Sequence, residues 1–279
     1  MMQLVLLGTA GGPRPFPGRG APAQAIVYDG QIYVVDCGNG VARQMVLAGL
    51  RLADLRAVFL SHHHADHMLD IGALPFLAWT DGRSEPVDVV GPPPLRTVLD
   101  HFLAMVNVDL TARQQTTGRR PFADLLRVSE VVSSSRVWAA DGLQVRCCLV
   151  DHPPVRPSLA YRFECSGRSI VISGDTRYSP ALVRLARGAD VLVHEAYYGA
   201  AVEGHELRLA NAPSLAEHIV ACHTEVQDVG RVAREAEVGL LVLSHLVPAD
   251  PAVADEAWLA SARSSFAGPV VLGRDFQVI

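Results

Sequence analysis

The chain has 279 residues, enough for one large domain or two small ones with a sizeable core. Apolar residues make up 49% of it and charged residues 19%, which excludes a disordered or fibrous chain. The formal charge is −5 and the only short basic cluster is Gly118-Arg119-Arg120, which argues against a nucleic-acid partner.

The opening run "MMQLVLLGTAGGPRPF" has an apolar run of only a few residues and no basic start. It reads as a first strand at 4–8 ending in a glycine turn, not as a signal peptide. Strand-like runs follow at 25–29, 32–36, 57–61 and 87–91, then at 143–150, 159–164, 169–173, 190–194, 239–244 and 269–273. Several are continuous apolar strings, as in strands buried on both faces. Asp29-Gly30 and Ser166-Gly167, each between two such runs, predict hairpin turns. Helical patterns occupy 39–49, 71–80, 93–106, 180–187, 225–236 and 252–265. The region 107–141 has no clear pattern, and 199–222 reads as a partly irregular surface segment of the kind that borders active sites.

Hairpins come first, then strand–helix alternation, then the same again. That order favours one mixed, layered α/β domain over 1–279. No stretch approaches the roughly 18 uninterrupted apolar residues of a membrane-spanning helix. Cys37, Cys147, Cys148, Cys165 and Cys222 form no CxxC pair, and adjacent Cys147 and Cys148 on a strand would face opposite ways. They read as free thiols of a soluble cytoplasmic protein.

"SHHHADHMLD" at 61–70 carries four histidines and two aspartates just where a buried strand gives out. In extended backbone, residues two apart share a face, so His62 and His64 can meet one ion while His63 turns away. Asp66 and His67 diverge and can reach a second ion. Imidazoles with carboxylates suit zinc, with manganese or iron as alternatives. His152, Asp175, Glu195 and His245 each follow an apolar run, so one sheet edge would present them all.

Residues 61–67 fit the pattern S/T-H-x-H-x-D-H. They stand in order with "LGTAGG" at 7–12, "DCGNG" at 36–40, His152, "SGDT" at 173–176, "HEA" at 194–196, "HT" at 223–224 and "LSH" at 243–245. Over nearly its whole length the chain therefore resembles the metallo-β-lactamase superfamily. Within it the chain looks like the ribonuclease Z-like branch, with its arylsulfatase and phosphodiesterase relatives. That resemblance implies a four-layer αβ/βα sandwich, two mixed sheets flanked by helices. It also implies two divalent metal ions: His62, His64 and His152 on the first, Asp66, His67 and His245 on the second, and Asp175 bridging them opposite a bridging water or hydroxide. Asp36 would orient a ligand histidine. Asp66 would also take the proton of the attacking water. Glu195 and His223 form the pair that this branch adds, a histidine held by a carboxylate to meet the substrate oxyanion or the leaving group.

The remaining histidines read as bystanders. His63 is a wall residue, His194 a core residue and His101 an ordinary helix position, while His205 and His218 are surface or substrate contacts. Asp70 fits either a helix N-terminus or a pocket.

Ribonuclease Z grips tRNA with a long arm, inserted in its family between the histidine and aspartate that match His152 and Asp175. Here that interval is 23 positions, room for a hairpin. With the negative charge, it turns the expectation to a hydrolase of a small-molecule ester: a sulfate ester, phosphodiester, carboxylic ester or lactone. The stretch at 18–50 reads like the arylsulfatase-like members. A pocket of "ALPFLAW" (73–79), Tyr197 and Tyr198 would hold an apolar group beside the ester. The alternatives are a tRNA 3′-processing endonuclease of the ribonuclease Z type and an iron-dependent oxygenase, although oxygen reductases usually replace the histidine that matches His64 with glutamate. A catalytically dead binding module would be expected to have lost ligands, and every one is present. The family suggests a homodimer.

Overall fold

In the computed structural model, which describes residues 2–140, 142–204, 210–249 and 253–279, two sheets pack against each other. The first holds β1 (Gln3–Gly8), β2 (Ala23–Tyr28), β3 (Gln31–Val35), β4 (Leu55–Phe59), β5 (Val87–Gly91) and β6 (Leu126–Glu130), bonded in that order. The second holds β7 (Ser135–Ala140), β8 (Leu143–Val150), β9 (Ser158–Cys165), β10 (Arg168–Ile172), β11 (Val191–Tyr197), β12 (Leu240–Val247) and β13 (Val270–Leu272), again in chain order across the sheet.

Both sheets begin antiparallel and finish parallel. The change comes at β3 in the first sheet and at β10 in the second. The turn residues explain the antiparallel part. Asp29 and Gly30 (φ 49° and 72°) and Ser166 and Gly167 (φ 42° and 79°) supply the two successive positive φ values of a tight hairpin. Parallel pairs need crossovers, and helices provide most of them.

Helices α1 (Val41–Leu47), α2 (Ala65–Met68), α3 (Ala73–Thr80), α4 (Leu95–Met105) and α5 (Asn107–Thr117) accompany the first sheet; α1, α3 and α4 bury their apolar faces on its outer side. Of α6 (Pro180–Ala186), α7 (Gly199–Glu203), α8 (Leu215–Cys222), α9 (Val226–Glu235) and α10 (Asp255–Arg263), the sixth, ninth and tenth cover the second sheet. The result is the four-layer arrangement. The patternless region 107–141 turns out to hold α5, β6 and β7. Asp70 belongs to a helix end: its Oδ2 accepts the Gly40 N–H at 2.7 Å, at the start of α1.

Strand alternation sorts the core. Leu4 and Leu6 face the opposite sheet while Val5 and Leu7 face helices, and Cys147 and Cys148 divide in the same way. All five cysteines are free and buried. Between the sheets the Phe59 ring meets Tyr161 at 5.5 Å and Phe163 at 5.3 Å, both edge to face. The Tyr161 hydroxyl donates to the Leu60 carbonyl at 2.7 Å and so ties the second sheet to the end of β4.

One expectation fails here. Trp79 is 3% exposed and packs with Phe76 and Phe122 in a satellite core, its indole N–H on the Arg120 carbonyl. Tyr197 is buried with Val202 and Ile219, and Tyr198 packs on Trp258. Trp79 and these tyrosines therefore build core instead of lining a substrate pocket, and of the segment 73–79 only Leu77 is exposed. An apolar helix face looks the same in sequence whether it buries against protein or ligand. Among the described residues, no helix is long and apolar enough to cross a membrane.

The aromatic contact between the sheets can be tested. Phe163→Ala should cost about 3–5 kcal/mol of stability, because removal of the ring leaves a cavity that two sheets cannot close. Chemical denaturation should show the lower midpoint.

Candidate metal centre

Strand β4 ends at Phe59, and His64, just before α2, is extended (φ −70°, ψ 146°). His62 and His64 point to one side, with His62 Nε2 3.0 Å from His64 Nδ1. His63 turns away and donates its Nε2–H to the Pro92 carbonyl at 2.8 Å. The one-turn helix α2 then presents Asp66 and His67.

The partners come from the second sheet. His152 lies just past β8. Asp175 lies past β10 on a turn through Gly174 (φ 57°), where a Cβ would stand 2.6 Å from the Leu159 carbonyl oxygen and 2.9 Å from Ser61 Cβ. Only glycine fits that turn. Glu195 and His245 sit inside β11 and β12, which run three residues beyond the ends predicted at 194 and 244. Pairing jumps from Glu195–Ser244 to Ala196–Leu246, so His245 (φ 45°) is a bulge that aims its ring at the cluster.

The hydrogen bonds at the far ring nitrogens settle which atoms face the centre. His152 donates Nδ1–H to the Cys222 carbonyl at 2.9 Å, leaving the Nε2 lone pair 3.0 Å from His64 Nδ1. Ser61 Oγ gives its hydrogen to Asp36 Oδ2 (2.9 Å) and accepts from His62 Nδ1 (2.9 Å). His62 and His152 thus both aim Nε2 lone pairs at His64, which can donate to only one of them. His67 donates Nδ1–H to Asp36 Oδ2 at 2.8 Å. Its Nε2 then faces Asp175 Oδ2 at 3.2 Å and Asp66 Oδ2 at 3.5 Å and hydrogen-bonds to neither. Lone pairs brought together in this way need a cation between them.

Among the described residues, His62, His64, His152 and Asp175 form one donor group and Asp66, His67 and His245 another, the atoms of each within 4.8 Å of one another, and His223 lies as close to Asp175 and His245. Asp175 Oδ2 lies between the two groups, 3.7 Å from His62, 3.9 Å from His152 and 3.2 Å from both His67 and His245. Gly12 N–H holds Asp66 Oδ2 at 3.1 Å. Burial, with His152 alongside, pushes His64 down to about 4, so its ring is neutral, as a ligand must be. Burial also works against the Asp175 charge, yet His245 and His67 hold its carboxyl well below the usual range. The donor set fits divalent metal.

Glu195 Oε1 accepts from His223 Nδ1 (3.2 Å) and from the backbone N–H groups of Thr176 (3.0 Å) and Thr224 (3.2 Å). It therefore fixes both the Asp175 turn and His223, whose ring stacks on His245 at 5.5 Å. Burial lowers the proton affinity of His223, but Glu195 outweighs it and keeps the ring protonated well above the ordinary histidine range. His194 donates to the Glu195 carbonyl and is a core residue, His101 and His218 are exposed, and His205 lies outside the described residues.

Sequence reasoning missed two features. Ser61 relays Asp36 to His62, a link hidden in the S/T that opens the histidine pattern. The loop after Gly12 borders a groove of about 610 Å³ that includes Arg14, Phe16, Arg19, Arg43 and Asp275. The Arg14 guanidinium lies 4.7 Å from the Phe16 ring, while Asp275 is taken up by Thr9, Gly20 and Gln44.

Comparison with known proteins places this geometry. The β-lactamase superfamily domain matches residues 32–246. A ribonuclease Z of Mycobacterium marinum is 34% identical over 281 residues, covering 99% of this chain and 98% of that protein. One of Mycobacterium tuberculosis is 32% identical over 277 residues, covering 99% and 97%. Among solved structures, the short form of human tRNase Z superposes with a TM-score of 0.73 at 21% identity, covering 99% of this chain and 98% of that one. The metallo-β-lactamase fold protein YhfI from Bacillus subtilis superposes with a TM-score of 0.72 at 22% identity, covering 100% and 98%.

These relatives overturn the expectation of a small-molecule ester substrate and of no nucleic-acid partner. An end-to-end alignment over 281 residues leaves no room for a long inserted arm in either protein, so the short interval filled by β9 and β10 carried no weight. The charge of −5 is a sum over the whole surface and says nothing of arginines gathered at one groove. The chain belongs to the β-lactamase superfamily and, within it, to the ribonuclease Z-like hydrolases.

Proposed function

We propose that the chain is a metal-dependent endoribonuclease of the ribonuclease Z type, hydrolysing a phosphodiester bond at the 3′ end of precursor tRNA. The observation that carries this is the pair of donor groups meeting at Asp175 Oδ2 with the Glu195–His223 pair beside them, in a chain that aligns end to end with ribonuclease Z.

His62, His64 and His152 would hold one ion and Asp66, His67 and His245 a second, with Asp175 reaching both. Neutral imidazoles with carboxylates suit zinc. Two such ions, when bound, bring the pKa of a shared water toward about 7 and offset charge growing on phosphorus. Asp66, oriented by the Gly12 N–H, takes the proton of the attacking water. His223, kept protonated by Glu195, gives a proton to the ribose oxygen that leaves as the P–O bond breaks.

Arg14 and Arg43 in the adjacent groove meet backbone phosphates, and Phe16 offers a face for a base. This local charge supports an RNA substrate despite the overall sign.

The direct test is incubation of the metal-loaded protein with a 3′-extended precursor tRNA. A single cut that is lost on chelation and in Asp66→Ala is expected. Intact RNA beside rapid turnover of an aryl phosphodiester would overturn the RNA assignment. His223→Ala should lower kcat on RNA by ~10²–10⁴-fold with metal content unchanged. The same variant should change p-nitrophenyl phosphodiester turnover far less, since that leaving group needs no proton. Arg14→Ala combined with Arg43→Ala should raise KM for RNA and flatten its salt dependence, with aryl phosphodiester kinetics unchanged.

A further inference from the structure

The core between the sheets meets the metal centre at a small polar cavity. Strand alternation turns Val193 and Val242 toward the first sheet, and Glu195 and Ser244, two places on, point the same way. Those two are also register partners in the β11–β12 pair, so they stand side by side. Gln24 meets them from β2, on the face that carries Ile26. With Asp175, His67 and His245 they line a cavity of about 20 Å³.

Three oxygens of these lining residues have no hydrogen-bond partner: Asp175 Oδ1, Glu195 Oε2 and Ser244 Oγ. Each of the three residues is 2% exposed, so bulk water does not serve them. Their sister oxygens are engaged. Asp175 Oδ2 lies between the two donor groups, and Glu195 Oε1 holds His223 and two backbone N–H groups. A buried carboxylate oxygen left without a donor is costly. Here two carboxylate oxygens call for two hydrogens, and one hydroxyl has a hydrogen to give. A single water matches that demand, donating to each carboxylate and accepting from Ser244. Three bonds are usual for a buried water, and the cavity exceeds the roughly 10–15 Å³ that one occupies. A hard cation such as Ca²⁺ takes roughly six to eight oxygens, more than this cavity offers.

We propose that the cavity binds one structural water, oriented by Ser244, that ties the Asp175 carboxylate to that of Glu195. The water fixes the rotation of the Asp175 carboxylate and so keeps Oδ2 between the donor groups. It fixes Glu195 in the same way and keeps Oε1 on His223. Ser244 is a positioning residue, acting on the metal site through the water. The consequence for proton donation rests on the role proposed for His223, whereas the water and its effect on metal affinity do not.

The crystal structure of the metal-loaded protein tests the site. One peak within hydrogen-bond distance of Asp175 Oδ1, Glu195 Oε2 and Ser244 Oγ is expected, without anomalous signal in crystals grown with Tl⁺. No peak there would overturn the site, and an anomalous peak would assign it to a monovalent cation instead. Ser244→Val fills the space with methyl groups and should expel the water, while Ser244→Ala should keep it on its two carboxylates. Competition with a chromogenic chelator should show metal affinity ~10–100-fold weaker in Ser244→Val, the usual cost of losing a ligand's outer partner, and a smaller loss in Ser244→Ala. A serine with a merely structural role would lower the stability of the metal-free protein and leave metal affinity alone. Parental affinity in Ser244→Val would overturn the positioning role. If valine is not accommodated, Ser244→Ala carries the test, and parental affinity there would overturn the role equally. Neither readout uses RNA, so a failed cleavage assay leaves both intact.

Discussion

The carboxylate of Asp36 organises this molecule. It is buried at the end of β3 with φ at 63°, a conformation that a non-glycine residue adopts only when its surroundings compel it. Three hydrogen bonds compel it here, from the Ser61 N–H, the Ser61 hydroxyl and His67 Nδ1. Through Ser61 it sets the tautomer of His62, and directly it sets that of His67. One side chain thus aims a nitrogen at each of the two donor groups. A buried carboxylate is costly unless it is fully bonded, and these three bonds leave it little freedom to move.

The second sheet must deliver its own donors to the same spot, and it does so by breaking regular structure. Asp175 needs the left-handed turn at Gly174, and His245 needs a bulge in the middle of a buried strand. Glu195 ties the first of these to His223, since its Oε1 holds the backbone beside Asp175 and beside His223 as well as the His223 ring. The same carboxylate is therefore both a brace for the loops and the partner of the proton donor. Behind it all stands the aromatic contact of Phe59, Tyr161 and Phe163, which holds the two sheets in register so that their ends coincide.

The donor set was legible in the sequence because metal chemistry restricts it to few residue types at strand ends. His62 and His64 obey strand alternation, and His152, Asp175 and His245 follow apolar runs. The hairpins at Asp29-Gly30 and Ser166-Gly167 were legible for a similar reason, since positive φ admits few residues. The substrate was not. Arg14 and Arg43 are far apart in sequence and share a groove only when the loop after β1 folds against α1. Trp79 and Tyr197 carry no mark in sequence that separates a pocket wall from a core residue, and burial assigned both to core.

The sequence alone determined the order of hairpins and strand–helix units, the faces of the strands and the identity of the candidate metal donors. Each of these follows from local rules: side-chain alternation, turn stereochemistry and ligand preference. The tertiary structure decided what depends on distant atoms meeting. It set which ring nitrogens face the centre, the bulge at His245, the double duty of Asp36 and Glu195, and the arginine groove beside the site. Those are properties of two sheet ends brought within a few hydrogen-bond lengths, and no span of sequence contains both ends.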